Sequence, residues 1–252
     1  VAVIGSGSGG GVAANILNKK YEVGIFEKGS YGNGMTNNET FGYHNFYDTN
    51  GIQQTRGYKV LLLAGMGIGG GTSVNWTTSL RTPNQILNEW DTLTEQDNYF
   101  NSHEFKNSMD YVCKELNVDI KNNRIPQKEE KLAEGLELNN LSYKIIPRNT
   151  SNDECTESGF STFGRYDESI NSTNKIWFSE ERFEPNNVFS DTNITSLDLS
   201  NGRATHINIE NNGTLHKVAV DKVVLAAGSL NTPKILLDSG YKNKHLGRNL
   251  KL

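Results

Sequence analysis

Long apolar runs, clustered cysteines and a basic surplus are all missing from this 252-residue chain. The longest apolar stretch, Lys59-Val60-Leu61-Leu62-Leu63-Ala64, has the length of a strand. Nothing approaches the roughly 20 apolar residues of a membrane-crossing helix. The two cysteines, Cys113 and Cys155, lie far apart. They form neither a metal-ligand spacing nor a disulfide framework, so no metal is expected and the redox compartment stays open. The net charge is -4 with no concentrated basic segment, which argues against nucleic acid as a partner. A signal peptide and an initiator methionine are also lacking, and Val1 already belongs to a strand pattern. We therefore expect a fragment whose native N-terminus lies upstream.

What is present suits one large domain or two modest ones, with a sizeable core. Asparagine is abundant, so triplets such as Asn38-Glu39-Thr40 and Asn193-Ile194-Thr195 arise mostly by chance rather than as glycosylation sites. Val1 to Ile4 reads as a buried strand, Val12 to Leu17 as a helix, and Glu22 to Phe26 as a second strand parallel to the first. Ser30 to Thr55 has no period and is expected to be an extended loop. Val60 to Leu63 is another apolar run. Phe105, Met109, Val112 and Leu116 predict an amphipathic helix over 102–116, and Leu132 with Leu136 predicts one after Pro126. Residues 149–174 read as a loop. Asn201-Gly202 and Asn212-Gly213 mark turns of a small antiparallel meander. Lys222 to Ala226 reads as a buried strand, and Pro233 as the start of a helix that ends near Gly240.

Three glycine-rich segments carry the chemistry. In Gly5-Ser6-Gly7-Ser8-Gly9-Gly10, residues Gly5, Gly7 and Gly10 fit G-x-G-x-x-G. The first glycine permits the tight turn, the second lets a pyrophosphate approach the backbone, and the third lets helix and strand pack. The helix N-terminus then offers free N–H groups and a positive dipole end. Glu27 ends the second strand, near the ~20-residue offset of the acid that accepts from a ribose hydroxyl. A carboxylate there repels a 2′-phosphate, which disfavours NADP and leaves NAD or FAD.

The second segment runs from Gly65 to Trp76 and ends Gly69-Gly70-Gly71-Thr72-Ser73-Val74-Asn75-Trp76. Its glycines allow a backbone to lie flat against a cofactor, and Thr72 and Ser73 suit helix capping or phosphate. The third is Ala226-Ala227-Gly228-Ser229-Leu230-Asn231-Thr232-Pro233, followed by Ser239-Gly240 and Gly247-Arg248-Asn249-Leu250.

In this order the segments resemble the successive signatures of glucose-methanol-choline (GMC) oxidoreductases, and most of all the long-chain fatty alcohol oxidase branch. Leu63-Ala64-Gly65, Ser79-Leu80-Arg81-Thr82-Pro83, Glu89-Trp90, Tyr111-Val112-Cys113 and Pro147-Arg148-Asn149 extend the likeness over almost the whole chain. The resemblance implies an α/β fold. A Rossmann-like FAD-binding domain would comprise residues 1–84 and 186–252, and an inserted α+β segment, 85–185, would form part of a substrate-side cap. It implies FAD as cofactor, with Gly5, Ser6, Gly7, Gly9 and Gly10 at the pyrophosphate and Glu27, beside Lys28, at the adenosine ribose. Gly65, Gly69, Gly70, Gly71, Thr72, Asn75 and Trp76 would run along the pyrophosphate toward the flavin. Ile194 would lie against the adenine, and Ala227, Gly228 and Ser229 would line the cleft.

The implied reaction is oxidation of a long-chain alcohol to an aldehyde, with hydride passing to the flavin and oxygen or another acceptor reoxidising it. Its partners would be a small-molecule alcohol and that acceptor. An intracellular setting is favoured, and membrane or peroxisomal association is compatible with the resemblance. Two departures stand out. Only Cys155 remains of a cysteine-rich stretch, here Cys155 to Gly164. The family's catalytic histidine lies in a C-terminal region, and none of His44, His103, His206, His216 or His245 matches it. We expect a largely absent substrate domain, no identifiable catalytic base and little turnover by this chain alone. Two alternatives stay open: an NAD-dependent dehydrogenase and a non-catalytic FAD-binding remnant.

Overall fold

Short apolar runs separated by glycine turns fold here as a parallel sheet built from both ends of the chain. The computed structural model describes residues 1–31, 38–121, 125–151, 163, 169–179, 181–184, 187–211, 213–248 and 250. Along these the elements run β1 (Ala2–Ile4), α1 (Ser8–Leu17), β2 (Gly24–Phe26), α2 (Glu39–Phe46), β3 (Gln53–Gln54), β4 (Leu61–Leu62), α3 (Asn84–Leu93), α4 (His103–Glu115), α5 (Gln127–Leu138), α6 (Thr173–Trp177), β5 (Val188–Phe189), β6 (Asn193–Ser200), β7 (Arg203–Asn211), β8 (Thr214–Ala219), β9 (Val223–Leu225) and α7 (Gly228–Asp238). Two 3-10 turns, Asp48–Gly51 and Gly70–Ser73, lie among them. The chain divides into two compact units. The first holds Val1–Asn75, Ser158–Tyr166 and Ser172–Leu252, and the second Trp76–Glu157 and Asp167–Asn171.

In the first unit four parallel strands stand in the order β5-β2-β1-β9, with Ala2, Val3 and Ile4 of β1 opposite Gly24, Ile25 and Phe26 of β2 and Val223, Val224 and Leu225 of β9. β1 is buried on both faces, which is why it reads as a continuous apolar run rather than an alternating one. Its side chains still alternate. Val3 packs with Ala14 of α1 and with Ile25, Trp177 and Phe183. Ala2 and Ile4 pack on the other side with Ile194, Leu197, Ile207, Ile209 and Ile235, from the β6-β7-β8 meander and α7. The meander is antiparallel as expected, and Asn201 and Gly202 both take positive φ (49° and 74°), the twist-matched conformation of a two-residue hairpin. Asn212 lies outside the described residues.

Two expectations are corrected. Ser30 to Thr55 is not all extended loop, because Glu39–Phe46 is helical, with the Asn38 side chain accepting from Phe41 N at 3.0 Å. The eight-residue helix buries only Gly42 and Phe46. Phe163 lies so close to Gly42 that an added Cβ would come within 2.4 Å of the ring. A stripe of two contacts is too short to show a period. Pro233 does not open the last helix, which begins at Gly228, five residues earlier, because φ of +79° there turns the chain out of β9 at once. Pro233 sits inside this helix, where its missing N–H forgoes one backbone bond.

In the second unit, α4 and α5 match the two expected helices, and α3 is a further one that follows Pro83. Ser102 caps α4 by accepting from Phe105 N at 3.2 Å. Trp90, Tyr99, Phe100 and Phe105 join α3 to α4 through edge-to-face ring contacts. No described helix is long and apolar enough to cross a membrane.

Candidate functional site

The first unit holds a cleft of about 1230 Å³ at the C-terminal ends of β1, β2 and β9, where ligands bind in open parallel sheets. The glycines of the first turn divide into two kinds. Gly5 has φ of +96°, and a Cβ there would lie 2.4 Å from Ala226 O, while a Cβ on Gly10 would lie 1.9 Å from Gly5 O. These two close the turn against backbone. At Gly7 and Gly9 a Cβ would meet nothing within 4 Å, and both line the cleft. α1 follows with no side-chain cap and no acid in its first turn. Its leading N–H groups have no intrahelical partner and border the cleft. α7 opens on the cleft in the same way, uncapped, with Ala227, Gly228 and Ser229 in the lining and open space at the Gly228 Cβ position. Two positive helix ends thus face one space, an arrangement suited to a diphosphate.

Ser6 is fully buried and does not line the cleft. Its N–H and Oγ both reach Glu27 Oε2, at 3.0 and 2.6 Å, and Oγ accepts from Gly69 N at 3.0 Å. It joins the first glycine turn, the end of β2 and the second glycine loop. Glu27 is 8% exposed, lines the cleft and also accepts from Gly29 N at 3.2 Å.

The second loop touches the first directly, with a Cβ on Gly70 falling 3.1 Å from Gly7 Cα. Gly65, Gly70, Gly71, Thr72 and Asn75 line the cleft, whereas Gly69 is not in the lining. Trp76 belongs to the second unit, is 70% exposed and does not line the cleft. The Thr72 hydroxyl is committed within the protein: it donates to Gly69 O at 2.6 Å and accepts from Thr173 N at 3.0 Å. It holds the first N–H of α6, which Ser172 caps, and closes its own turn rather than offering its proton to a phosphate. Ser73 Oγ likewise donates to Ile68 O.

Ile194 is buried in the lining beside Thr192, Asn193 and Thr195. Lys28 also lines it and pairs with Asp48, Nζ to Oδ1 at 2.6 Å, while Asn231 Nδ2 donates to Asp48 Oδ2 at 3.2 Å. Burial pushes the Asp48 carboxyl up, but the hydrogen bonds from Lys28 and Asn231 and the Lys28 charge outweigh it and hold the carboxyl below its usual value. Asp48 is not among the expected site residues, and Asn231 enters only as a member of the third glycine-rich segment. Nothing local marks Asp48 within a polar, aromatic-rich stretch, and its partners lie 20 and 183 residues away. Nearby, burial and then Tyr43 push the Tyr47 hydroxyl up to about 12, so it stays protonated at neutral pH and donates to Val74 O at 3.3 Å.

None of the five histidines lines the cleft, and no group of three or more metal-binding side chains occurs among the described residues. The cysteine-poor stretch 155–164 lies outside the described residues except for Phe163, as does Asn249.

The residues fit an FAD-sized group: a cleft of about 1230 Å³, open space at the Cβ positions of Gly7, Gly9, Gly71 and Gly228, two uncapped helix ends, an acceptor carboxylate and an apolar side chain at Ile194. Residues 8–252 match the GMC oxidoreductase family. The long-chain-alcohol oxidases FAO4A and FAO4B of Arabidopsis thaliana are 31% and 32% identical over 98% and 99% of this chain. The chain spans about a third of their length, 35% in each case. Among solved structures, pyridoxine 4-oxidase from Mesorbium loti superposes with a TM-score of 0.66 at 13% identity, covering 95% of this chain and 51% of that one. An FAD-dependent oxidoreductase from Chaetomium thermophilum superposes with a TM-score of 0.63 at 16% identity, covering 93% and 46%.

Proposed function

Because the chain belongs to the GMC oxidoreductase family, we propose that it forms the FAD-binding part of an enzyme that oxidises an alcohol to an aldehyde. The cofactor is FAD, which when bound supplies the hydride-accepting chemistry that no side chain can. The chain's own task is to hold and orient it. The uncapped N-terminus of α1, approached across Gly7 and Gly9, takes the diphosphate charge, and the N-terminus of α7 adds a second positive end. Glu27 accepts from the adenosine ribose, and Ile194 packs against the adenine. Gly70, Gly71, Thr72 and Asn75 continue along the cofactor. Cofactor binding is assigned to residues 1–84 and 186–252.

The names of the relatives support a long-chain alcohol as the substrate, with oxygen or another small acceptor taking the electrons. The observation that carries the proposal is the convergence of Gly7, an uncapped α1 and the Glu27 carboxylate on one cleft.

The test is the visible absorption spectrum of the purified chain, with any released cofactor identified. Flavin bands and released FAD are expected. A folded, colourless protein that takes up no added FAD but binds NADH would replace this reading with a nicotinamide one.

A further inference from the structure

Three short stretches of the second unit meet around one arginine. The backbone of Arg148 bonds to that of Asp119 in both directions at 3.2 Å, Ser79 N donates to Pro147 O at 3.0 Å, and Asn149 N donates to Thr77 O at 3.2 Å. From this ladder the Arg148 side chain reaches residues 76 and 77. Its Nε donates to Thr77 Oγ1 at 2.8 Å and its Nη2 to the Trp76 carbonyl at 3.1 Å. Thr77 Oγ1 donates to the same carbonyl at 2.6 Å. Thr77 is fully buried and has φ of +61°. A β-branched residue in the left-handed region is an outlier that persists only where its surroundings overdetermine it. Here the surroundings include the two prongs of one guanidinium, beside the Asn149 N–H and the Ser79 hydroxyl that both donate to the Thr77 carbonyl. In a trans peptide the N–H opposes the C=O, so fixing the Trp76 carbonyl also fixes the Thr77 N–H and the path of the chain as it leaves Asn75-Trp76.

We propose that Arg148 is a positioning residue for Asn75, at the end of the cofactor segment, acting by clamping Thr77 in its left-handed conformation. The proposal rests on the reading of Gly70, Gly71, Thr72 and Asn75 as FAD-binding, and it gives Pro147-Arg148-Asn149 a physical role.

The test uses the 252-residue chain, FAD titration, and amide hydrogen exchange at residues 77–79 without cofactor. Arg148→Ala is expected to weaken FAD binding about tenfold and to speed that exchange. Glycine takes positive φ without strain, so the double variant Thr77→Gly/Arg148→Ala is expected to regain most of the affinity and protection. A merely structural role predicts a double variant no better than the single one. Arg148→Lys keeps the charge but not the planar fork, and serves if the alanine variant fails to fold; it is expected to show the same defect in smaller measure. Unchanged FAD affinity and exchange in both Arg148 variants, or no recovery in the double variant, overturns the proposal. A wild-type chain that binds no FAD overturns the functional reading instead, and the exchange arm then decides the clamp.

Discussion

Ser6 Oγ lies 2.6 Å from Glu27 Oε2, in a place closed to water. The same oxygen accepts from Gly69 N at 3.0 Å. One small hydroxyl therefore orients the carboxylate at one edge of the cleft and anchors the second glycine loop. Replacing Ser6 with alanine strands the Gly69 N–H and takes a donor from a buried carboxylate. The expected cost is about 1–3 kcal/mol, seen as a lower urea midpoint with an unchanged slope. FAD affinity is expected to fall as well, because Glu27 loses one of the three donors that aim it.

Glu27→Gln exchanges a pure acceptor for a group that also donates. Three donors, Ser6 N, Ser6 Oγ and Gly29 N, now converge on that carboxylate. The amide can satisfy them only in part, and it accepts more weakly from a ribose hydroxyl. We expect FAD affinity to fall by about tenfold or more, roughly 1.4 kcal/mol, in a fluorescence or absorbance titration.

Two alanine substitutions in one glycine turn are expected to fail in opposite ways. At Gly10 the new methyl would lie 1.9 Å from the Gly5 carbonyl, and the cost should reach about 3 kcal/mol or more, read as loss of folded protein. At Gly7 the methyl meets nothing within 4 Å, and φ is an ordinary -66°. Gly7→Ala is therefore expected to fold at least as stably as the parent but to lose FAD binding, because its methyl occupies cleft space. Circular dichroism melts beside cofactor titration separate the two cases.

The Asp48 carboxyl is held below its usual value in the folded state. The unfolded chain thus binds its proton first as pH falls, so this group's contribution is fully present above about pH 4 and is lost as pH drops through the lower folded value. Urea midpoints of wild type and Asp48→Asn, compared between pH 7 and pH 3, should show a wild-type advantage that shrinks below about pH 4. An advantage independent of pH would mean that the Lys28 and Asn231 contacts do not act through the charge.

The parts of the site that could be read in advance are those with local signals. Gly5, Gly7 and Gly10 stand at spacings that a tight turn and a helix start demand, and Asn201-Gly202 is a hairpin turn by composition alone. Ser6 was expected at the cofactor, yet its burial turns it inward as the link between Glu27 and Gly69. Thr72 was expected to cap a helix or donate to phosphate, whereas Ser172 caps α6 and the Thr72 proton goes to Gly69 O. α2 escaped notice because two buried contacts make no period.

The order of strand, glycine turn, helix, strand and acid determined the β1-α1-β2 unit and a dinucleotide, NAD or FAD, as its ligand, since each step depends on neighbours within about 20 residues. Tertiary structure alone decided which glycines face open space and which face backbone. It also decided that Asp48 joins Lys28 to Asn231, and that Arg148 closes on Thr77 across 71 residues. Contacts between residues so far apart leave no pattern in a single chain, because the backbone geometry that joins them is set by the fold as a whole.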